Sequence, residues 1–334
     1  MKNGSRNKYF SGFMGLLCTG IFCLTPAIGQ EYPAKPIDFI IGLGAGGSVD
    51  VSGRTLANQA TKYIGQPFNP INKPGAVGAI ATAYIKNAKP DGYTIGVMSS
   101  SPPFFLPFIQ DVPYDVLNDF TYIMNYGELL FFLAERSDRP WKSWKEVIDF
   151  ARKHPGQVKV GMAATRLGNV TGVALSRIML MEGIKFTFIP LKSSAEVLTA
   201  TLGGHVDVFG STVDPTVKDY IATGKLRILA LVTERKISGF ENIPTLREIH
   251  GFGLPHDLGI VGIAGPKGLP PNIVKKLEDA FLKSTKEPGF VKVMAGMDTA
   301  IVPMNSQQFT EHIHKTHKEM KEIIEKLKIQ EDKK

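Results

Sequence analysis

Cysteine is nearly missing from this 334-residue chain, and the two present, Cys18 and Cys23, both fall within the first 29 residues. Everything after them is therefore without disulfides, thiol nucleophiles or thiolate-built metal sites. Catalytic signatures are missing too: there is no G-x-S-x-G elbow, no H-E-x-x-H helix and no EF-hand loop. No basic run is interleaved with aromatics, so nucleic acid is not an expected partner. Long apolar runs are also scarce. The longest, over 10–24, falls short of the ~20 residues a membrane-spanning helix needs, and no later run is as long and as apolar.

That early run has the layout of an export signal. Lys2, Arg6 and Lys8 precede it, and Ala27-Ile28-Gly29 ends it as a small-x-small cleavage site. Residues 1–29 are thus expected to be removed, leaving 30–334 in the periplasm. Losing the three cations takes the net charge from +8 to +5, a mild excess that suits small anions. The remaining length is ample for a hydrophobic core, expected as two lobes.

The organising stretch is Ile37-Asp-Phe-Ile-Ile-Gly-Leu-Gly-Ala-Gly-Gly-Ser-Val-Asp50. It reads as a buried strand over 37–41, a glycine loop and a helix over 49–64 with Ser48 as N-cap. A helix start carries unpaired N–H donors and partial positive charge, and glycines let the backbone approach a ligand, so the loop reads as an anion seat or as an ordinary βα turn. Gly42, Gly44 and Gly47 also match the dinucleotide fingerprint G-x-G-x-x-G. That motif needs an acid ~20 positions further on to hold a ribose. None occurs between Asp50 and Asp91, which weakens a dinucleotide-using enzyme as a reading.

The pattern continues as strand 66–72, helix 79–88 and strand 93–98, an alternation that predicts a parallel α/β sheet. Ser100 and Ser101 sit at the carboxyl end of that third strand, the edge where open α/β sheets bind ligands. Strands are expected over 120–126 and 129–134, then a helix over 143–154 and a strand over 158–161. The small, polar stretch 162–171 leads into another helix, forming a second strand–loop–helix unit. Two such loops facing each other would aim helix N-termini at one anionic ligand. Strands over 186–189, 206–209 and 226–232 follow, with helices over 195–202 and 215–222. A strand over 260–264 and helices over 271–283 and 306–327 complete the chain.

In this order and spacing the motifs resemble the Bug family, the TctC-like periplasmic solute-binding proteins of tripartite tricarboxylate transporters. The resemblance runs from Tyr32-Pro-Ala-Lys-Pro-Ile37, through Gly46-Gly47 with Asp50 and Arg54, to Asn72-Lys-Pro-Gly-Ala76 and Pro90-Asp-Gly-Tyr-Thr94. It continues through Tyr114-Asp115, Asp119-Phe120, Leu202-Gly-Gly204, Gly224-Lys-Leu-Arg227, Leu229-Ala-Leu-Val-Thr233 and Ile243-Pro-Thr245. It implies a type II periplasmic binding protein: a non-catalytic Venus flytrap of two α/β lobes joined by a two-crossover hinge, with no cofactor. Lobe 1 would comprise 30–129 and 259–334, lobe 2 130–258, with hinges near 130 and 258. Family members hold a small carboxylate through backbone amides, hydroxyls and water. The matching positions are Gly46, Gly47, Ser48 and Asp50 in the first loop, and 163–171 in the second, with Ala163, Thr165, Asn169 and Thr171.

Several positions depart from the family pattern. Val49 replaces a threonine, Leu43 an aromatic, Ile260 a tryptophan and Gly172-Val173 a His-Leu pair. The second loop is longer and carries Arg166, which could clamp a second carboxylate or point to solvent; Lys192 poses the same alternative. His314 and His317, three apart on the last helix, read as a solvated face rather than a metal site. The expected protein is a monomeric periplasmic receptor for a mono- or dicarboxylate, docking on the membrane subunits of a tripartite tricarboxylate-type transporter. A receptor signalling to a membrane histidine kinase shares every one of these features.

Overall fold

The strand-to-helix alternation builds two five-stranded sheets. The computed structural model describes residues 31–163, 165–191, 193–212 and 215–331; the segment expected as an export signal and Lys192 therefore lie outside the described residues. The strands are β1 (Ile37–Ile41), β2 (Phe68–Asn72), β3 (Thr94–Ser99), β4 (Phe120–Glu128), β5 (Phe131–Arg136), β6 (Lys159–Met162), β7 (Thr187–Pro190), β8 (Val208–Thr212), β9 (Leu226–Leu231) and β10 (Ile260–Pro266). The longer helices are α1 (Ser48–Ile64), α2 (Ala79–Lys86), α5 (Trp144–Lys153), α6 (Val170–Glu182), α7 (Ser194–Leu202), α8 (Pro215–Ala222), α10 (Pro271–Ser284), α11 (Pro288–Gly296) and α12 (Ser306–Glu331). Single turns form α3 (Ser101–Phe104), α4 (Leu106–Ile109) and α9 (Leu246–His250).

The two sheets share one topology. The first runs β2-β1-β3-β10-β4 and the second β7-β6-β8-β5-β9. In each, the first three strands are parallel, and the fourth runs antiparallel to both its neighbours. The sheets are therefore mixed, which corrects the expectation of a parallel sheet. The reversed strand in each case is the one that has just crossed over: β5 enters the second sheet from β4, and β10 returns to the first after β9. The order also reverses between β1 and β3 and between β6 and β8, so each sheet has a switch point at the carboxyl ends of its strands.

Burial follows the sequence pattern. Phe309, Ile313, Met320, Ile324 and Leu327 of α12 are all buried, as their helical spacing predicts. Together with Val173, Leu175 and Ile178 on α6 they belong to one apolar cluster spanning both sheets, so α12 braces the two lobes along one side. His317 departs from expectation. It is not on a solvated face; its Nδ1 lies 2.6 Å from the Pro103 carbonyl oxygen, and its ring packs on Phe108, tying α12 to α3 and α4. Among the described residues no helix is long and apolar enough to cross a membrane, and no group of three His, Cys, Asp or Glu is placed to hold a metal.

At the crossovers, Leu129 N–H donates to the Gly259 carbonyl at 2.7 Å, and Glu128 and Ala300 exchange backbone hydrogen bonds at 2.8 and 3.0 Å. The Glu128 side chain, 3% exposed, accepts from Arg235 Nε at 2.6 Å, and Arg235 reaches Asp257 at 3.0 Å. Burial and the nearby Asp257 carboxylate push Glu128 up to about 7, against the hydrogen bond and charge of Arg235.

Two predictions follow from this packing. A Cβ at Gly262 on β10 would run into the Phe309 ring and come within 2.8 Å of the Met124 carbonyl. Gly262→Ala should therefore cost roughly 1–3 kcal/mol in urea unfolding through overpacking; unchanged stability would show that α12 is loosely seated. The second concerns pH. The folded state keeps the Glu128 proton up to about pH 7, whereas the unfolded chain releases it near 4.5. The Glu128 contribution to stability is thus complete below pH 4.5 and lost as pH rises toward 7. Glu135, pushed up to about 7 by burial despite its Arg227 partner, acts in the same direction. The wild-type minus Glu128→Gln difference should isolate the Glu128 share as a slope confined to that window.

Candidate functional site

The loops after β1, β3, β6 and β8, the four strands at the switch points, enclose one cavity of about 320 Å³. That volume suits a small organic molecule. The first sheet contributes Leu43, Gly47, Ser48, Val49, Val77 and Ser99 to Ser101. The second contributes Met162, Ala163, Asn169 to Thr171, Ser194 and Gly210 to Thr212, with Leu129 and Phe131 from the crossover strand.

Its floor on the first side is the start of α1. The N-cap is Gly47 in extended backbone, not Ser48, and no side chain caps the first turn. Glycine was missed as the cap because a serine beside it looked the better acceptor. The consequence is chemical: the first N–H groups of a 17-residue helix have no side-chain acceptor. The facing helices differ. Asn169 Oδ1 accepts from Gly172 N–H at 2.9 Å at the start of α6, and Ser193 Oγ accepts from Glu196 N–H at 3.2 Å at the start of α7.

Asp50 explains how the seat at α1 stays open. Its carboxylate is 6% exposed and is turned away from the cavity. Oδ2 accepts from Gly46 N–H at 3.0 Å; Oδ1 accepts from Arg54 Nη2 and Asn72 Nδ2, each at 2.8 Å. Asn72 Nδ2 also reaches the Leu43 carbonyl at 3.0 Å. Burial alone would push the Asp50 carboxyl up, but hydrogen bonds from Arg54, Gly46 and Asn72, with the Arg54 charge, hold it below the usual carboxylate range. Gly46 takes φ +83°, which lets its N–H turn onto that carboxylate. Asp50 and Gly46 therefore shape the loop and do not line the cavity.

Hydroxyls converge on the space. Ser100 and Thr171, 6% and 3% exposed, line it from opposite lobes, and among the described residues neither hydroxyl has a hydrogen-bond partner. Ser101 Oγ donates to the Gly168 carbonyl at 3.2 Å, tying the first lobe to the second loop at the cavity edge. Apolar groups fill the rest of the wall, from Leu43, Val49 and Val77 on one side to Phe131 and Met162 on the other.

The remaining expected positions divide. Leu43, Gly47, Ala163, Asn169 and Thr171 line the cavity; Thr165 is exposed outside it. The Arg166 clamp is corrected: its Nη1 donates to Ser176 Oγ at 3.1 Å, its guanidinium lies 5.4 Å from the Phe188 ring centre, and it is not among the lining residues. Ile260, which stands where the family pattern has a tryptophan, is wholly buried in β10. Ser194 and the end of β8 were missed, although the carboxyl-end rule that singled out Ser100 applies equally to β8.

A cleft between two α/β lobes, each offering a strand–loop–helix unit at its switch point, defines the class of two-lobed binding proteins. Residues 53–329 match the family model of the tripartite tricarboxylate transporter family receptor, TctC, and the chain belongs to that family. It is 35% identical to the "UPF0065 protein in gbd 5'region" of Cupriavidus necator, over 92% of this chain and 95% of that one. With protein BugT of Bordetella pertussis it shares 29% identity over 84% and 87% of the two chains. The crystal structure of a TctC solute binding protein from Polaromonas superposes with a TM-score of 0.71 at 30% identity, covering 88% of this chain and 99% of that one. The family is one of periplasmic solute receptors, not of enzymes.

Asp50→Ala removes an acceptor from Arg54, Asn72 and Gly46 together. It should cost about 2 kcal/mol in chemical unfolding, the scale of hydrogen bonds to a charged group. Arg166→Ala should by contrast change affinity for mono- and diacids equally, as measured by calorimetry; a selective loss of diacid binding would return Arg166 to the ligand.

Proposed function

We propose that this chain is an exported receptor that captures a small organic mono- or dicarboxylate between its lobes and delivers it, as a monomer, to the membrane subunits of a tripartite tricarboxylate-type transporter. The observation that carries the reading is the uncapped start of α1, which shares one cavity with the hydroxyls of Ser100 and Thr171, neither with a hydrogen-bond partner among the described residues. N–H donors and a helix dipole favour a carboxylate oxygen, and hydroxyls complete its hydrogen bonds without a fixed opposing charge. Two R. palustris proteins of the same fold, at 21% and 20% identity with TM-scores of 0.78 and 0.74, were solved with adipate and with malate. They support a carboxylate as the ligand class here. Closure on the ligand would be a hinge motion where the chain passes from β4 to β5 and back to β10.

The test is a thermal-shift screen of the purified chain against small carboxylates, with NAD as control. A ligand at about 100 times its dissociation constant stabilises by about 2.7 kcal/mol. Stabilisation by one group of acids and none by NAD is the expected result. A shift with NAD alone would overturn the reading.

A further inference from the structure

The turn between β2 and α2 is unusual in its backbone. Four successive residues have positive φ: Gly75 at +136°, Ala76 at +45°, Val77 at +52° and Gly78 at +95°. The glycines occupy that region freely. Val77 does not: at φ 52°, ψ 37° a β-branched side chain crowds its own backbone, a conformation that persists only where the surroundings enforce it.

The enforcement is visible. Gly78 N–H donates to the Gly75 carbonyl at 3.0 Å. Gly42, in the loop after β1, packs so closely that a Cβ there would come within 3.3 Å of Gly78 Cα. A Cβ on Gly78 would meet Pro102 Cγ at 3.3 Å, and one on Gly75 would run into Ile80. The base of the turn is thus wedged between the anion-facing loop and α3. Its strained tip presents Val77 to the cavity wall, 38% exposed and outside every apolar cluster of the core. Core packing gives no reason for a valine there.

We propose that Val77 is a specificity-determining residue: it is a fixed apolar contact of the first lobe for the hydrocarbon portion of the bound acid, acting with Phe131 and Met162 of the same cavity. This rests on the carboxylate reading and specifies the part of the ligand which that reading leaves open. An acid whose carboxylate sits at α1 places its carbon chain against the neighbouring wall, where Leu43, Val49 and Val77 are apolar. The ligand class is then a carboxylate with an unsubstituted methylene chain, in preference to a hydroxylated one.

The test is calorimetric titration of the wild type, Val77→Gly and Val77→Ala with two probes, adipate and malate. Removing the valine methyls should weaken adipate roughly tenfold in both variants and malate by no more than about twofold. Glycine, free of the strain, should also raise the melting temperature, so that stability and affinity move in opposite directions. Unchanged adipate affinity in both variants overturns the inference alone. Loss in Val77→Gly but not in Val77→Ala also overturns it, because turn flexibility and not side-chain contact would then be responsible. Equal loss for both probes, or a wild type that binds malate but not adipate, overturns it as well. A wild type that binds neither probe nor any other acid in the thermal screen removes the carboxylate reading and this inference together.

Discussion

The start of α1 has no side-chain cap, and the seat proposed for the ligand depends on it. A helix end with unpaired N–H groups is ordinarily costly to bury, and the usual remedy is a Ser, Thr, Asp or Asn at the N-cap. Here the N-cap is glycine, and the one carboxylate in the first turn is turned the other way, onto Gly46, Arg54 and Asn72. Had Asp50 faced the cavity, it would have satisfied the N–H groups and repelled an anion at once. Its pairing with Arg54 removes both effects. The same network holds the Leu43 carbonyl through Asn72, so one buried carboxylate shapes the loop from its first residues to its last.

The second lobe repeats the topology but not the chemistry. Its helices α6 and α7 are capped by Asn169 and Ser193, leaving fewer free donors. What it brings to the cavity is hydroxyls and apolar surface, from Thr171 and Ser194 to Phe131 and Met162. The division is physically reasonable. A backbone seat recognises charge on whatever carries it, because every residue has an N–H. Side chains differ between proteins and so recognise the body behind the charge. Contacts that bridge the lobes include the apolar packing of α12 on α6 and polar pairs such as Ser101 to Gly168 and the 2.6 Å pair Lys218–Asp298. A ligand favours one lobe arrangement over another only through contacts that differ between the two arrangements.

Much of the fold was legible in the sequence because its strands and helices have clean periods. The apolar stripe of α12 and the alternation of strand and helix placed almost every long element. The reversed direction of β5 and β10 was not legible, because strand direction is set by which edge the chain reaches after a crossover, and no local pattern records that. Helix α11, which the sequence reading passed over, opens on Pro288, a residue well suited to a first helical turn. In the site, the first loop was legible from its glycines. Arg166 was misleading because a long cation near a cleft looks functional, while its actual partners, Ser176 and Phe188, lie 10 and 22 positions away. Val77 was invisible for the opposite reason: a valine between glycines signals a turn, and only the backbone angles show that the turn is forced.

That last contrast bears on how a receptor of this fold acquires its ligand. Relatives of the same fold hold adipate in one case and malate in another, so the shared backbone cannot be what separates a plain carbon chain from a hydroxylated one. Discrimination of about 1–3 kcal/mol is what an apolar contact or a single unmatched hydroxyl supplies. A residue can provide it only if it is fixed, since a mobile side chain adapts to either ligand. The wedge of Gly42, Gly78 and Pro102 provides that fixity: it holds Val77 at one place on the wall at the cost of backbone strain. Strain of this kind is retained where a side chain's position matters more than its contribution to folding, and a partly exposed valine at a cavity wall contributes little to folding.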